Sequence, residues 1–282
     1  MSAAVLATLD AALRADDPLA LRALLDAGPL PVLSSPLVAH ATSMKASRCV
    51  VLLLELGHPA AATRVDGLCA LHLVRDPKTA RLLLAAGVPV DAPSPSGTPL
   101  HMAAANEGAP VIKALLDAGA DPDALQSTDN RTPLALACSL GRTVAVKALL
   151  ARPPATATCF NLLAEYAQRG LQKKDIAVLS ALLEHLPADL EPNPGCDHAL
   201  HIAAGAGSPE AVERLLAAGA AVDRPDREGR SPAFLALRSA HVGGTRGQRY
   251  IAAFRLLVAA GADLDRPCGE TTLRALAGKY LF

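Results

Sequence analysis

The sequence predicts an all-α protein in which short helix pairs stack into an elongated array. A pattern of two short helices and a stop, clearest between Thr98 and Asp121, recurs along the chain with a period of about 33 residues. Hydrophobic residues make up 51% of the 282 residues, but aromatic residues only 2%. Small apolar side chains therefore dominate, which suits the thin layers between closely stacked helices.

The first helix of the pattern is expected to begin at Thr98, a favourable N-cap, with Pro99 at the first helical position. Leu100, Ala103 and Ala104 follow at i, i+3 and i+4 and form one apolar stripe. The second helix has the same spacing and ends at a glycine suited to a left-handed C-cap: Ile112, Leu115, Leu116 and Gly119. A pair of this length cannot bury its apolar face alone, so similar pairs must flank it.

Equivalent segments occupy the rest of the chain. The start of the first helix recurs at Ser35, Cys69, Thr98, Thr132, His198 and Ser231. The stop of the second helix recurs at Gly28, Gly57, Gly87, Gly119, Gly219 and Gly261. These two anchors predict about eight repeats and a C-terminal half repeat, which begin near residues 1, 35, 69, 98, 131, 160, 197, 231 and 271.

These motifs resemble those of the ankyrin repeat family, in which Thr-Pro-Leu-His-x-Ala opens the first helix and Gly-Ala-Asp closes the second. The resemblance covers essentially the whole chain and is closest from Thr98 to Ala124 and from Cys196 to Asp223. It implies an ankyrin-repeat solenoid with hairpin-like finger loops between repeats. We expect a single domain, 1–282, with 1–34 as its N-terminal capping repeat and 271–282 as its C-terminal cap. The apolar ending, Tyr280-Leu281-Phe282, fits either a cap or a contact.

Charge and composition exclude several classes of function. Lys plus Arg (27) equals Asp plus Glu (27), which leaves no surplus of cations for phosphates, so we expect no nucleic-acid partner. The start of the chain lacks a basic secretory pattern, and no apolar stretch approaches ~20 residues, so we expect no membrane partner. The six cysteines are scattered without Cys-x-x-Cys, which favours reduced thiols and a cytoplasmic location.

Three histidines, His72, His101 and His201, share one repeat position. Neighbouring helices pack ~8–10 Å apart, too far for these residues to share an ion that binds its ligands at ~2 Å. His101 instead lies three residues after its N-cap, where it can hydrogen-bond around the helix start. The cluster of Cys196, His198 and His201 has metal-compatible residue types and leaves a metal- or redox-responsive module as an alternative. It has no evident fourth ligand, so we expect neither a metal nor a cofactor.

Patterns of catalytic residues are absent from the sequence. It contains no phosphate-binding glycine pattern, no Gly-x-Ser-x-Gly elbow and no His-Glu-x-x-His. A solenoid of short repeats also offers a broad groove in place of a closed pocket. We therefore predict a protein that is not an enzyme.

The resemblance to ankyrin repeats implies that a partner binds along a concave face formed by finger tips and by two exposed positions near the end of each first helix. Matched to this sequence, the implied contacts are Asp129, Arg131, Ser139, Leu140, Gln168, Arg169, Arg227, Glu228, Arg230, Arg238 and Ser239. An insertion at 241–249, expected to form a loop, adds Arg246 and Arg249. The arginines predict a locally positive C-terminal half, and grouped arginines can grip carboxylates.

The sequence thus predicts a non-enzymatic module that binds a protein partner on its concave face. The alternative is an inhibitor or immunity-type protein that occludes a toxin or an enzyme. A tight one-to-one complex that abolishes the target's activity would distinguish this alternative from a scaffold.

Overall fold

The structure, a computed structural model, describes residues 2–28, 30, 33, 35–152, 156–169, 173–186, 199–226, 228–240, 244–265, 267–268 and 271–281. The helices, in chain order, are α1 (Ser2–Arg14), α2 (Pro18–Asp26), α3 (Leu37–Ser43), α4 (Ser47–Glu55), α5 (Ala70–Leu73), α6 (Pro77–Ala85), α7 (Pro99–Ala105), α8 (Ala109–Asp117), α9 (Pro133–Ser139), α10 (Thr143–Leu150), α11 (Thr156–Arg169), α12 (Lys173–Leu183), α13 (Ala199–Gly205), α14 (Pro209–Ala217), α15 (Pro232–Ser239), α16 (Gly244–Ala259) and α17 (Leu273–Leu281). A short antiparallel ladder joins β1 (Pro267–Cys268) to β2 (Thr271–Thr272).

The helix starts follow the local signals in the sequence. The hydroxyl of Thr132 accepts the N–H of Ala135 at 3.2 Å, and that of Ser231 accepts the N–H of Phe234 at 3.3 Å. Proline stands at the first helical position after both caps. These caps satisfy N–H groups that have no partner inside the helix.

Glycine ends the second helix of a pair, as Gly119 illustrates after α8. Its φ is +91°, a left-handed conformation that glycine adopts without steric cost. The N–H of Ala120 then donates to the carbonyl of Leu115 at 3.0 Å, and the N–H of Gly119 donates to that of Leu116 at 3.1 Å. These two bonds form a Schellman motif, so the predicted stop is a C-cap.

The contacts group the chain into two compact units, Met1–Arg152 and Pro153–Phe282, which are described separately; the expected single domain stays a prediction. In the first unit, each first helix pairs with the second helix that follows it, from α1 with α2 to α9 with α10. The first helices α3, α5, α7 and α9 pack side by side, and so do the second helices α2, α4, α6, α8 and α10. Leucine and alanine fill the space between these two layers.

The second unit repeats this arrangement with larger buried side chains. The first helices α11, α13 and α15 pack side by side, α12 and α16 both pack against α14, and α17 packs against α15. Tyr166 and Phe254 are the two largest fully buried side chains described. The side chains of Tyr280, Leu281 and Phe282 lie outside the described residues.

The predicted loop at 241–249 is wrong for most of its length. Helix α16 begins at Gly244, so the inserted residues lengthen the second helix of the pair. Gly247 and Tyr250 of this extension are buried, which gives the added turns a packed side. In the described part of the chain, no helix is long and apolar enough to cross a membrane.

Candidate partner-binding surface

Buried histidines fix the helix starts that border the predicted contacts. His101 is fully buried; its Nδ1 accepts the N–H of Thr98 at 3.1 Å, and its Nε2 lies 2.9 Å from the carbonyl oxygen of Arg131 in the next finger. Because Nδ1 accepts a main-chain N–H, the ring is neutral and its proton lies on Nε2, which donates to that carbonyl. The capping contact was predicted; the bond to the next finger was not.

The other two equivalent histidines make the same bond to the following finger. Nε2 of His72 lies 3.2 Å from the carbonyl oxygen of Gly97, and Nε2 of His201 lies 3.1 Å from that of Arg230. Burial lowers the pKa of His72 and His101 below the ordinary value and outweighs the hydrogen bonds that favour the charged ring. These histidines are therefore structural groups that connect a helix start to the next finger.

The hypothetical metal cluster is only partly visible. Cys196 and His198 lie outside the described residues, whereas Nε2 of His201 is engaged with the carbonyl of Arg230. Within the described residues, no group of three or more His, Cys, Asp or Glu side chains is arranged to hold a metal ion.

Three predicted contact residues meet in the first unit. Arg131 forms an ion pair with Asp129 (Nε to Oδ2, 3.0 Å) and donates through Nη1 to Ser139 Oγ at 3.0 Å. Ser139 Oγ in turn donates to the carbonyl of Leu136 at 2.9 Å. The guanidinium is thus held between the finger and the end of α9. The main-chain carbonyl of Arg131 is also the group that His101 binds.

Leu140, the fourth predicted contact of the first unit, caps the end of α9. Its N–H donates to the carbonyl of Leu136 at 3.1 Å, while 49% of the residue's surface stays exposed. Nearby in the sequence, Arg142 forms an ion pair with Glu107 at 3.8 Å. This part of the unit therefore combines an exposed apolar side chain with an oriented guanidinium, and these groups suit protein recognition.

In the second unit, Arg230 is held within its own finger. Its Nε donates to Asp226 Oδ2 at 2.6 Å, and its Nη1 pairs with Glu228 Oε2 at 2.6 Å. Asp226 is buried and also accepts the N–H groups of Glu228 (2.9 Å) and Arg230 (2.7 Å). Burial alone would raise the pKa of the Asp226 carboxyl, but these hydrogen bonds and the guanidinium hold it below its usual value.

Arg249 is likewise held by contacts within the unit. It lies in α16, where its Nε donates to the carbonyl of Gly207 at 3.2 Å and its Nη2 pairs with Glu210 at 2.6 Å. The ring of Tyr250 covers Gly207 so closely that a Cβ at position 207 would lie 2.8 Å from it. Arg249 and Tyr250 thus attach the inserted turns to the start of α14.

Two further predicted contacts are visible at the end of α15. Arg238 is exposed and Ser239 half-buried. The side chains of Gln168, Arg169, Arg227 and Arg246 lie outside the described residues. Among the visible arginines of the predicted positive half, the charges of Arg230 and Arg249 are balanced by the carboxylates that bind them.

Comparisons with known proteins agree with this architecture. A family model described as ankyrin repeats (three copies) matches residues 73–161 and 163–268, more than half of the chain. The crystal structure of the human ASB11 ankyrin repeat domain is similar, with 19% identity and a TM-score of 0.50 over 92% of this chain and 99% of that chain. At this identity the likeness concerns the fold alone. A search of curated proteins found no match. The predicted helical solenoid is thereby confirmed.

Proposed function

Since the chain belongs to the ankyrin repeat family, we propose that it is a non-enzymatic module that binds a protein partner on the concave face formed by first helices and fingers. Ankyrin repeats are in general protein–protein interaction modules. Cys49, Cys69, Cys138 and Cys159 are buried as thiols, and this favours a reducing location such as the cytoplasm.

One observation carries the proposal: Arg131 contacts both Asp129 and Ser139, and Ser139 immediately precedes the exposed Leu140. An ion pair as exposed as that of Arg131 with Asp129 contributes little to stability. It does restrict the guanidinium to one orientation, which lowers the entropy lost when a partner binds. A guanidinium has five N–H groups, so N–H groups beyond those donated to Asp129 and Ser139 are available for acceptors on a partner.

Leu140 supplies the apolar part of the proposed contact. A half-exposed leucine gains free energy when a partner covers it, at about 25 cal/mol per Å² of apolar surface. Arginine is one of the residues that most often dominate binding at an interface, and an apolar side chain beside it contributes through the surface that the partner covers. We therefore infer that Leu140 and Arg131 form the centre of the contact in the first unit, with Asp129 and Ser139 positioning the arginine.

In the second unit we propose Arg238 and Ser239 as contacts, together with Gln168, Arg169, Arg227 and Arg246. Arg230 and Arg249 act mainly as positioning residues, because each already binds carboxylates of its own unit. Glu228 is the exposed member of the Arg230 group and remains a proposed contact.

The experiment compares capture of a partner from the native cell lysate by the wild-type chain and by variants, with quantitative mass spectrometry. Leu140→Asp and Arg131→Glu should each lower capture of the same protein about tenfold or more, or ~1.4 kcal/mol. Leu19→Asp is the matched control, because Leu19 is 80% exposed on α2, a second helix.

Capture that is equal for wild type and both variants would remove the proposed surface. Loss of capture in the Leu19→Asp control would point to the second-helix layer. If the captured partner is an enzyme or a toxin that loses activity in the complex, the protein is the inhibitor of the alternative hypothesis.

A further inference from the structure

The second helices of the first unit carry a row of cations on the side away from the first helices. Arg81 of α6, Lys113 of α8 and Lys147 of α10 stand at one repeat position, two residues before a buried leucine, and all three are exposed. Arg81 and Lys113 form no ion pair with another described residue. Helices packed side by side lie ~8–10 Å apart, so the cations follow one another at about that spacing.

This row belongs to a face with few carboxylates. Helices α6, α8 and α10 contain four cationic residues, Lys78 in addition to the three of the row, but a single carboxylate, Asp117. Arg152 follows α10, donates to the carbonyl of Leu116 at 2.6 Å and lies 3.9 Å from Asp117. The whole chain is neutral, so the excess of positive charge is a property of this face. We call Lys78, Arg81, Lys113, Lys147 and Arg152 the outer cationic face.

An apolar groove interrupts the outer cationic face between α8 and α10. Its volume is about 600 Å³. The groove is lined by Ala109, Pro110, Lys113, Leu116, Asp117, Ala148, Ala151 and Arg152. Val144, which is 53% exposed, extends the wall, because Val144, Ala148 and Ala151 lie at i, i+4 and i+7 of one helix face. The apolar stripe is thus flanked by cations on both helices.

We propose that the outer cationic face binds an acidic amphipathic helix of a partner protein. A helix rises 1.5 Å per residue, so carboxylates at every seventh position are roughly 10.5 Å apart, which is close to the spacing of the cation row. Such a helix lies across α6, α8 and α10 with its carboxylates against Arg81, Lys113 and Lys147. Its apolar side chains, on the same face, enter the groove, as in other helix-in-groove complexes.

The groove favours a protein helix over a nucleic acid. Affinity for nucleic acid depends on the number of phosphates neutralised, and a phosphate backbone would leave the surfaces of Ala148, Ala151 and Pro110 uncovered. A helix with both carboxylates and leucines satisfies the charge and the apolar groove together. This site lies on the second helices, whereas the proposed concave face lies on the first helices and fingers. An experiment can therefore contradict one of the two proposed sites without contradicting the other.

The test uses the full chain and a synthetic peptide of about 22 residues, or roughly 33 Å as a helix, with Glu at every seventh position and Leu between them on the same face. Fluorescence anisotropy should give saturable binding with a Kd of roughly 10–100 μM at low salt. A peptide of the same composition in scrambled order, and one with Lys in place of Glu, should bind at least about tenfold more weakly.

Variants of the chain locate the binding site. Lys113→Glu and Arg81→Glu, both at exposed positions, should each weaken peptide binding about fivefold to tenfold. Ala148→Arg should also weaken peptide binding, because the arginine fills the groove, although it adds a positive charge. Arg214→Glu, the same charge change at an exposed position of α14 in the second unit, should leave the Kd unchanged. Equal binding of the scrambled peptide, or Kd values unaffected by Lys113→Glu and Arg81→Glu, would overturn the proposal. Binding of duplex DNA that is as tight as that of the peptide and insensitive to Ala148→Arg would also overturn it.

Discussion

Nε2 of His101 lies 2.9 Å from the main-chain oxygen of Arg131, thirty residues further along the chain. The side chain of Arg131 meanwhile binds Asp129 and Ser139. A single residue of the finger is therefore fastened to the preceding helix through its main chain and shapes the proposed contact surface through its side chain. The stability of this finger and the orientation of the guanidinium depend on the same buried imidazole.

Replacing His101 should destabilise the first unit. His101→Ala leaves the N–H of Thr98 and the carbonyl of Arg131 without their buried partner, so we expect a loss of roughly 2–4 kcal/mol in urea unfolding followed by circular dichroism. His101→Gln keeps an acceptor at the third helical position, where glutamine serves in capping boxes, but the shorter side chain does not reach Arg131. His101→Gln should therefore lower the free energy of unfolding about half as much as His101→Ala does. Equal losses for the two variants would contradict the separate role of the bond to Arg131.

The buried histidines also predict how stability depends on pH. His72 and His101 have a folded-state pKa below the ordinary value of 6.5, so near pH 6 the unfolded chain binds protons that the folded chain does not. The free energy of unfolding therefore has its full value above about pH 6.5. It falls as the pH decreases from there toward the lowered folded-state pKa. The slope should approach about 1.4 kcal/mol per pH unit for each histidine. Urea midpoints at pH 7.5, 6.5 and 5.5 measure it. A chain with His101→Gln should show a smaller slope; an unchanged slope would assign the effect to other groups.

The part of the fold that the sequence predicts depends on signals a few residues apart. Thr98, Pro99 and His101 fall within four positions. Local geometry is therefore enough to predict the N-cap, the first helical turn and the hydrogen bond from the imidazole back to the helix start. The bond from His101 to Arg131 was not predictable in this way, because the acceptor is a main-chain oxygen, which every residue possesses. Only the stacking of one repeat on the next brings the two groups together.

The inserted segment shows the opposite case, in which local signals mislead. An insertion between two helices is expected to emerge as a loop, and Gly244 and Gly247 are poor helix formers. The packing of Tyr250 on Gly207 and the pairing of Arg249 with Glu210 stabilise helical turns that intrinsic preference disfavours. The same pairing changes the interpretation of the arginines. Their grouping in sequence predicts a positive surface, whereas the carboxylates that neutralise Arg230 and Arg249 are visible only in three dimensions.

Cys69 offers a substitution that should stabilise the protein. It occupies the N-cap of α5, and its Sγ lies 3.1 Å from Nδ1 of His72. The equivalent N-caps of α7, α9 and α15 are Thr98, Thr132 and Ser231. Threonine is a better N-cap than cysteine, because a hydroxyl forms stronger hydrogen bonds than a thiol. Cys69→Thr should raise the stability by about 0.5–1 kcal/mol in urea unfolding. Cys69→Ala, which removes the cap, is the opposite control and should lower it; a Cys69→Thr chain that is less stable than wild type would contradict the prediction.

Gly207 should tolerate a side chain less well than a left-handed glycine that has open space around it. Its φ is +63°, and a Cβ would lie 2.8 Å from the ring of Tyr250. Gly219 has a φ of +91° with open space around it, so Gly219→Ala measures the cost of the conformation alone, about 1–2 kcal/mol. Gly207→Ala should exceed this cost by about 1 kcal/mol or more because of overpacking. Adding Tyr250→Leu should recover part of the difference, and no recovery would show that the ring is not the obstacle.

Arg249 permits a direct test of whether the inserted turns serve stability or binding. Arg249→Met keeps most of the apolar stem but removes the bonds to the Gly207 carbonyl and to Glu210. Because solvent screens this partly exposed pair, we expect the free energy of unfolding to fall by only about 1 kcal/mol. A double-mutant cycle with Glu210→Gln isolates the coupling of the two side chains from the effect of Glu210 on its own helix start. The coupling should shrink at high salt. Arg238→Met, an exposed control, should change stability by less than about 0.5 kcal/mol. If Arg249→Met instead leaves stability unchanged and lowers capture of the partner, Arg249 is the contact that the sequence predicts and the ion pair with Glu210 is incidental.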